Sequence, residues 1–164
     1  MDNQQIKYKR IRVNSENPMQ ILCIIPCGSK KIWDKEPDLG PQKADDVYIG
    51  SFHRKCKEYA MKFHQNSWCI LSAKYGFLFP TDIVPDQYNV SFNIKRSNPI
   101  TLGELSKQMY KKELEEYKKI VVLGGKNYTK IIEEVFYGPE VINPLSGCKG
   151  IGYMMQRLNK LIDK

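Results

Sequence analysis

The sequence lacks the features that mark membrane and secreted proteins. None of its apolar runs approaches the roughly 20 residues that a helix needs to span a bilayer. The first residues, MDNQQIKYKRIRVN, lack the apolar centre of a signal peptide. We therefore expect a cytoplasmic protein with no membrane partner.

Cysteine and histidine are too few, and too widely spaced, for a recognisable metal site. The five cysteines include no close pair of the zinc-finger type, and their odd number fits a reducing compartment. Cys23 and Cys27 would face the same side of a strand, and we interpret them as buried apolar side chains rather than metal ligands. His53 and His64 lie eleven residues apart, so on one helix they cannot share a metal ion. We interpret both histidines as surface or packing residues, and we predict neither a metal nor a cofactor.

Three sequence motifs of common enzymes are also missing. The phosphate-binding spacing G-x-x-x-x-G-K-[ST] is absent, and no G-x-G-x-x-G follows any apolar run, which disfavours ordinary ATP and dinucleotide sites. A serine hydrolase would need G-x-S-x-G, which is absent as well. Cys27 follows a predicted strand and is a candidate thiolate, but no histidine is obviously placed to activate it.

The composition is that of a globular protein with a surplus of positive charge. A chain of 164 residues fits one domain, and we divide it into a basic arm, 1–18, and a single α/β domain, 19–164. It has 26 Lys and Arg against 18 Asp and Glu, a net charge of +8. This surplus favours an anionic partner, either a small molecule or nucleic acid, although lysines also keep a surface soluble.

Short apolar runs alternate with amphipathic segments along the chain. Strands are predicted at 19–25, 68–71, 120–123 and 140–143, and helices at about 50–66, from Thr101, at about 128–136 and at the carboxyl terminus. Asp45 or Asp46 is expected to cap the first helix, and Glu104 completes a capping box with Thr101. The proline-containing segment 77–99 is predicted to be an extended loop that could cover a site. This order predicts a three-layer α/β sandwich, with a mostly parallel sheet of about four or five strands and helices on both faces.

Polar residues follow the predicted strands at their carboxyl ends, where ligands bind in open α/β sheets. Small residues, hydroxyls and lysines of this kind suit an anionic ligand. The candidate binding residues are Cys27, Gly28, Ser29, Lys30, Ser72, Tyr75, Tyr88, Gly124, Gly125, Lys126 and Ser146. The candidate catalytic residues are Lys74, as a nucleophile or base, and Asp86 or Asp46, which would handle a proton or a water molecule. The alternative for Lys74 is an ion pair with a loop aspartate and no chemistry.

Several of these segments together resemble a known family. They are CGSKK at 27–31, YIGSF at 48–52, ILSAKYGFL at 70–78, the segment 85–88, PLSG at 144–147 and GIG at 150–152. The resemblance is to an uncharacterised bacterial and phage family, domain of unknown function 6884, and it covers nearly the whole chain after residue 18. It implies a small cytoplasmic α/β protein. The P-C-x-x-K opening at 26–30 is also similar, over this loop alone, to a motif of archaeosine synthase and YaaA-like proteins, which favours nucleic-acid base chemistry.

The sequence therefore supports two hypotheses of function. The first is an enzyme acting on a nucleotide or nucleic-acid base, at the N-glycosidic bond or at the base itself, at the carboxyl edge of the sheet. The second is a non-catalytic module that binds nucleotides or nucleic acid through stacking aromatic side chains such as Tyr75, Phe77, Tyr88 and Phe92.

Overall fold

A computed structural model describes residues 20–164 and arranges them around one five-stranded sheet. The strand order is β4-β3-β1-β6-β7, in which β3, β1, β6 and β7 run parallel and β4 runs antiparallel to β3. The strands of this sheet are β1 (Ile21–Pro26), β3 (Trp68–Ser72), β4 (Gly76–Leu78), β6 (Lys119–Val122) and β7 (Glu140–Ile142). A separate two-stranded ribbon pairs β2 (Gln42–Lys43) with β5 (Ile83–Val84). The predicted basic arm, 1–18, lies outside the described residues.

Helices cover both faces of the sheet. They are α1 (Ala44–Val47), α2 (Ser51–Phe63), α3 (Leu102–Lys111), α4 (Lys126–Val135) and α5 (Ile151–Asp163). Alternate residues of each strand enter two separate apolar cores, because successive side chains of a strand point to opposite faces. Helices α2 and α5 contribute to the core that contains Cys23 and Ile25, whereas α3 and α4 contribute to the core that contains Leu22 and Ile24. The predicted three-layer α/β fold is therefore confirmed.

Two local expectations were wrong. The segment 77–99 was predicted to be an extended loop, but its first two residues belong to β4 (Gly76–Leu78), which turns back along β3. Asp45 and Asp46 lie inside the short helix α1, and the next helix, α2, begins after Gly50 without a side-chain cap. The cap at Thr101 is confirmed, since its Oγ1 accepts a hydrogen bond from the Glu104 backbone N–H at 3.1 Å.

The connections reverse direction at the central strand. From β1 the chain moves to β3 on one side, and it later returns to β6 on the other side of β1. In open α/β sheets, such a reversal opens a crevice at the carboxyl ends of the two strands that flank it. The loops after β1 and β6 therefore enclose the expected position of a ligand. None of the helices within residues 20–164 combines the length and the apolar character needed to cross a membrane.

Candidate functional site

Three buried hydroxyl groups form a chain at the carboxyl end of β3. The Tyr88 hydroxyl is hydrogen-bonded to the Tyr48 hydroxyl and lies 2.8 Å from the Ser72 Oγ. Ser72 is completely buried, Tyr48 is 3% exposed and Tyr88 is 6% exposed. Buried hydroxyls require partners. The loops that carry Tyr48 and Tyr88 are thus bound to the end of the central sheet through their side chains.

Ser72 also shapes the turn that follows β3. Its Oγ accepts hydrogen bonds from the backbone N–H groups of Lys74 at 3.2 Å and Tyr75 at 3.0 Å. Serine hydroxyls commonly stabilise turns in this way. The same oxygen therefore orients the Lys74–Tyr75 turn and joins it to the hydroxyl chain.

Gln108 of α3 completes the turn from the other side. Its side-chain amide accepts from the Phe77 N–H at 2.9 Å and donates to the Tyr75 carbonyl at 2.9 Å. Gly76 between them has φ of +78°, and a Cβ there would lie 2.1 Å from the Gln108 Oε1. Glycine is favoured at this position because a side chain would strain the backbone at this positive φ and would displace the Gln108 amide from its two hydrogen bonds.

Two lysines lie over the ring of Tyr88. Lys31 is 3% exposed, and its Nζ lies 4.3 Å from the ring centroid and donates to the Ser29 carbonyl at 3.1 Å. The backbone of Lys31 forms a bridge with that of Tyr48. The exposed Lys74 has its Nζ 5.8 Å from the same centroid and 5.3 Å from the ring of Tyr75. Aromatic faces attract ammonium groups at these distances.

Cys27 and Tyr128 meet across the crevice between β1 and β6. The Cys27 Sγ lies 3.6 Å from the Tyr128 hydroxyl, so the loop after β1 contacts the first turns of α4. Gly124, with φ of +129°, leaves room for this tyrosine, because a Cβ there would lie 3.2 Å from the Tyr128 Cδ2. We call the group at this edge the Tyr88 cluster; it consists of Cys27, Lys31, Tyr48, Ser72, Lys74, Tyr75, Tyr88 and Tyr128.

Burial shifts the pKa values inside the cluster towards the neutral forms. It raises the pKa values of Tyr48, Tyr88 and Tyr128, and the negative charge of a Cys27 thiolate raises them further. Burial also lowers the pKa of Lys31, while Cys27 and Asp34 act in the opposite direction. At neutral pH the three phenols are therefore uncharged.

Comparison with known proteins places the chain in a family. The model for a "Family of unknown function (DUF6884)" matches residues 22–160. The chain belongs to the DUF6884 family. It is also 45% identical over 147 residues to the "Uncharacterized protein YfjM" of Bacillus subtilis (strain 168), an alignment that covers 89% of this chain and 97% of the relative. The region matched by the DUF6884 model contains every residue of the Tyr88 cluster.

Four predicted binding residues of this DUF6884 chain line a cavity beside the cluster. Gly124, Gly125, Lys126 and Ser146 line a cavity of about 230 Å³ between the start of α4 and the loop after β7. Asn143 supports it, since its Nδ2 donates to the Gly124 carbonyl at 3.0 Å.

The remaining predicted residues lie near the edge of the cluster or on the surface. Gly28 follows Cys27 and is half-buried, and Ser29 and Lys30 are exposed. Asp46 and Asp86 are exposed too, each two residues before a tyrosine of the hydroxyl chain. No described contact within residues 20–164 joins either carboxylate to the cluster.

Three residues of the cluster were not among the predicted site residues: Lys31, Tyr48 and Tyr128. A signal for Lys31 was present, because it belongs to the CGSKK segment that follows β1. His53 was interpreted as a surface or packing residue, and it is buried, with its Nδ1 2.8 Å from the Pro26 carbonyl. Phe77 was considered for stacking on bases, but it is completely buried and packs edge-on against Phe136.

The described side chains of this family member form no cluster of metal ligands. Within residues 20–164, no group of three or more His, Cys, Asp or Glu side chains is arranged to hold a metal ion. The chemistry that the site itself offers is that of neutral phenols, a serine hydroxyl, a thiol and two amines.

Proposed function

We propose that this protein is an enzyme acting on a nucleotide or nucleic-acid base, at the N-glycosidic bond or at the base itself, with the Tyr88 cluster as its reaction centre. The observation that carries the proposal is the chain of neutral, buried hydroxyls beneath two lysine ammonium groups at the carboxyl edge of the sheet. Such a group of donors in a water-poor place suits a flat, polar heterocycle with carbonyl oxygens and ring nitrogens.

The hydroxyls and lysines fit the charge that develops when a base departs. Breaking an N-glycosidic bond leaves negative charge on the base and positive charge on the sugar. Donors that are already oriented stabilise developing negative charge without reorganising. The phenols of Tyr48 and Tyr88 and the ammonium groups of Lys31 and Lys74 are the donors that we assign to this task.

Lys74 is the residue we assign to direct contact with the substrate. Its exposed side chain lies at the entrance to the cluster, and its Nζ faces the rings of both Tyr75 and Tyr88. The backbone hydrogen bond to Ser72 fixes where the side chain begins. A carboxylate on either neighbouring loop, Asp86 or Asp46, would orient the attacking water.

The test measures base release from nucleosides, nucleotides and oligonucleotides by liquid chromatography with mass detection. Lys74→Ala should fold as the original protein does, because the side chain is exposed, and it should lower turnover by about 100-fold or more. Lys107→Ala, which removes an exposed lysine from α3, is the matched control and should retain full turnover. Full turnover by the Lys74 variant would refute the role of this residue.

Each carboxylate is tested with its own variant, because the proposal leaves open whether Asp86 or Asp46 orients the attacking water. Asp86→Asn and Asp46→Asn keep the side-chain size and remove the charge. We expect one of the two to slow base release strongly while leaving substrate affinity nearly unchanged, as a group that acts only in the transition state should. If both variants turn over normally, the carboxylate mechanism is excluded.

A further inference from the structure

A second cavity adjoins the one that Lys126 lines. It has a volume of about 350 Å³ and lies between the loop after β7 and the exposed side of α5, and the two cavities share Gly147 and Cys148. We call the two together the basic groove. It extends from the loop after β6, beside the Tyr88 cluster, to Lys160 on α5.

Positive charge is concentrated in the basic groove. Its lining includes five cationic side chains, Lys126, Lys130, Lys149, Arg157 and Lys160, and one acidic side chain, Glu133. The whole chain has 26 cationic residues for 18 acidic ones, so the groove is far more positive than the average surface. A concave surface lined by one sign of charge concentrates ligands of the opposite sign.

One side of α5 carries both charge and an exposed aromatic ring. Tyr153, Gln156, Arg157 and Lys160 follow the three- and four-residue spacing of a single helical face, and all four line the groove. Tyr153 is 63% exposed. The neighbouring Met154 is buried in the core that covers the sheet, so α5 is anchored while this face stays open to solvent.

Arg157 fixes the shape of the groove. Its Nη1 donates to the Ser146 carbonyl at 2.7 Å and to the Pro144 carbonyl at 3.3 Å. These bonds hold the loop after β7 against α5. The groove is therefore shaped before any ligand arrives, which lowers the entropic cost of binding.

We infer that the basic groove binds a single strand of nucleic acid. Lysines that follow the strand bind its phosphates, and an exposed aromatic ring stacks on an unpaired base; this combination is the usual basis of single-strand binding. Since the groove begins beside Tyr128, a strand lying in it can place one base at the Tyr88 cluster. This last step rests on the proposed function, whereas strand binding does not.

Fluorescence anisotropy with a labelled single-stranded oligonucleotide of about 12 nucleotides tests the inference. The variant Lys149→Ala/Tyr153→Ala/Lys160→Ala removes two exposed lysines and the exposed ring. We expect it to bind at least about tenfold more weakly. The slope of log affinity against log salt, measured between about 50 and about 200 mM, should fall by about 1.4, or 0.7 for each lysine.

The matched control is Lys107→Ala/Tyr110→Ala/Lys111→Ala on α3, which packs on the opposite face of the sheet. It removes the same three residue types, and Tyr110 is 60% exposed. The control should bind within about twofold of the unchanged protein. An equal loss in both triple variants, each shown to be folded by its thermal transition, would overturn the inference.

Two further measurements separate stacking from general attraction. Tyr153→Phe should retain the affinity that Tyr153→Ala loses, because the ring and not its hydroxyl stacks. A duplex of the same sequence and a poly-glutamate chain of equal charge should both bind more weakly than the single strand. Equal binding of either would overturn the assignment to single-stranded nucleic acid.

The two experiments can refute the groove inference and the proposed function independently of each other. Oligonucleotide binding without any base release would support the groove and refute the proposed function. Base release with no difference between the groove and control variants in oligonucleotide affinity would refute the groove and leave the proposed function standing.

Discussion

Tyr88 presents two different surfaces to the candidate site. Its hydroxyl belongs to the buried chain with Tyr48 and Ser72, and its ring faces the ammonium groups of Lys31 and Lys74. A ring face compensates part of the hydration that a buried ammonium loses. One aromatic residue thus allows positive charge and neutral hydrogen-bond donors to share a place with little water.

His53 contacts the last residue of β1 and makes the stability of the protein depend on pH. Its ring is 2% exposed, and its Nε2 has no hydrogen-bond partner within the part of the chain that the structure describes. Burial lowers its pKa to about 4; the nearby Lys57 lowers it too, while the Pro26 carbonyl and Asp45 act in the opposite direction. The charged form is therefore disfavoured in the folded state.

We predict that the free energy of unfolding decreases as the pH is lowered through the range in which His53 titrates. An unfolded histidine binds its proton near pH 6.5. Between about pH 4 and that value the unfolded state holds the extra proton, so stability is fully present above pH 6.5 and is lost as the pH falls. The expected loss is about 2 kcal/mol between pH 8 and pH 5, measured by urea unfolding.

A pair of histidine variants identifies the source of this loss. His53→Gln keeps a donor for the Pro26 carbonyl without titrating, and it should remove most of the pH dependence in this range. The only other histidine is His64, which is half-buried, so His64→Gln should retain most of the dependence. The assignment fails if the His53 variant keeps the full slope.

At the scale of elements, the turn between β3 and β4 determines the position of Lys74 and Tyr75. Hydrogen bonds from the turn backbone to the Ser72 hydroxyl and to the Gln108 side-chain amide hold it in place. Gly76 lies where these two supports meet, and a side chain there would strain the backbone at its positive φ and displace the Gln108 amide.

Gly76→Ala should therefore destabilise the protein by about 2–4 kcal/mol, because it strains the backbone and displaces an amide that satisfies two backbone groups. Gly152→Ala is the matched control, since nothing lies within 4 Å of a Cβ there and the residue is inside α5. Alanine at this helical position should stabilise by about 0.5–1 kcal/mol. Urea unfolding measures both values, and effects of the same sign would contradict this account.

Some of these elements could be predicted from the sequence, and others could not. The start of α3 was predictable because the Thr101 cap and its partner Glu104 lie three residues apart. Strand β4 was not predictable, because the turn that leads into it depends on Gln108. This residue is 31 positions from Phe77 along the chain. Local hydrogen bonds leave a pattern in sequence, whereas contacts between distant segments do not.

At the scale of the whole molecule, the parallel sheet gathers distant loops at one edge. The apolar runs predicted this edge, and it contains Cys27, Ser72, Lys74, Tyr75 and Tyr88. The apolar runs did not indicate that the candidate site residues would divide into two groups, one in the Tyr88 cluster and one in the basic groove. Tyr128 lies between the two groups, because its ring lies against Gly124 of the basic groove and its hydroxyl contacts Cys27 of the cluster.

The five free cysteines offer a direct way to distinguish these two regions in solution. Cys23, Cys56 and Cys69 are completely buried, whereas Cys27 and Cys148 are half-buried. We predict that an alkylating reagent modifies only these last two in the folded protein. The other three should react only after unfolding, because a thiol must be reached by the reagent before it can react.

Ligands should then protect the two accessible thiols differently. A nucleoside that occupies the Tyr88 cluster should slow the labelling of Cys27 and leave that of Cys148 unchanged, since Cys148 lines the basic groove instead. A single-stranded oligonucleotide should slow both, because one strand would cover the groove and place a base at the cluster. Peptide mass spectrometry after short labelling times measures each rate, and the variants Cys27→Ser and Cys148→Ser confirm the assignment of the peaks. Protection of Cys148 by a free nucleoside, or of neither thiol by the oligonucleotide, would show that the two regions do not serve one strand.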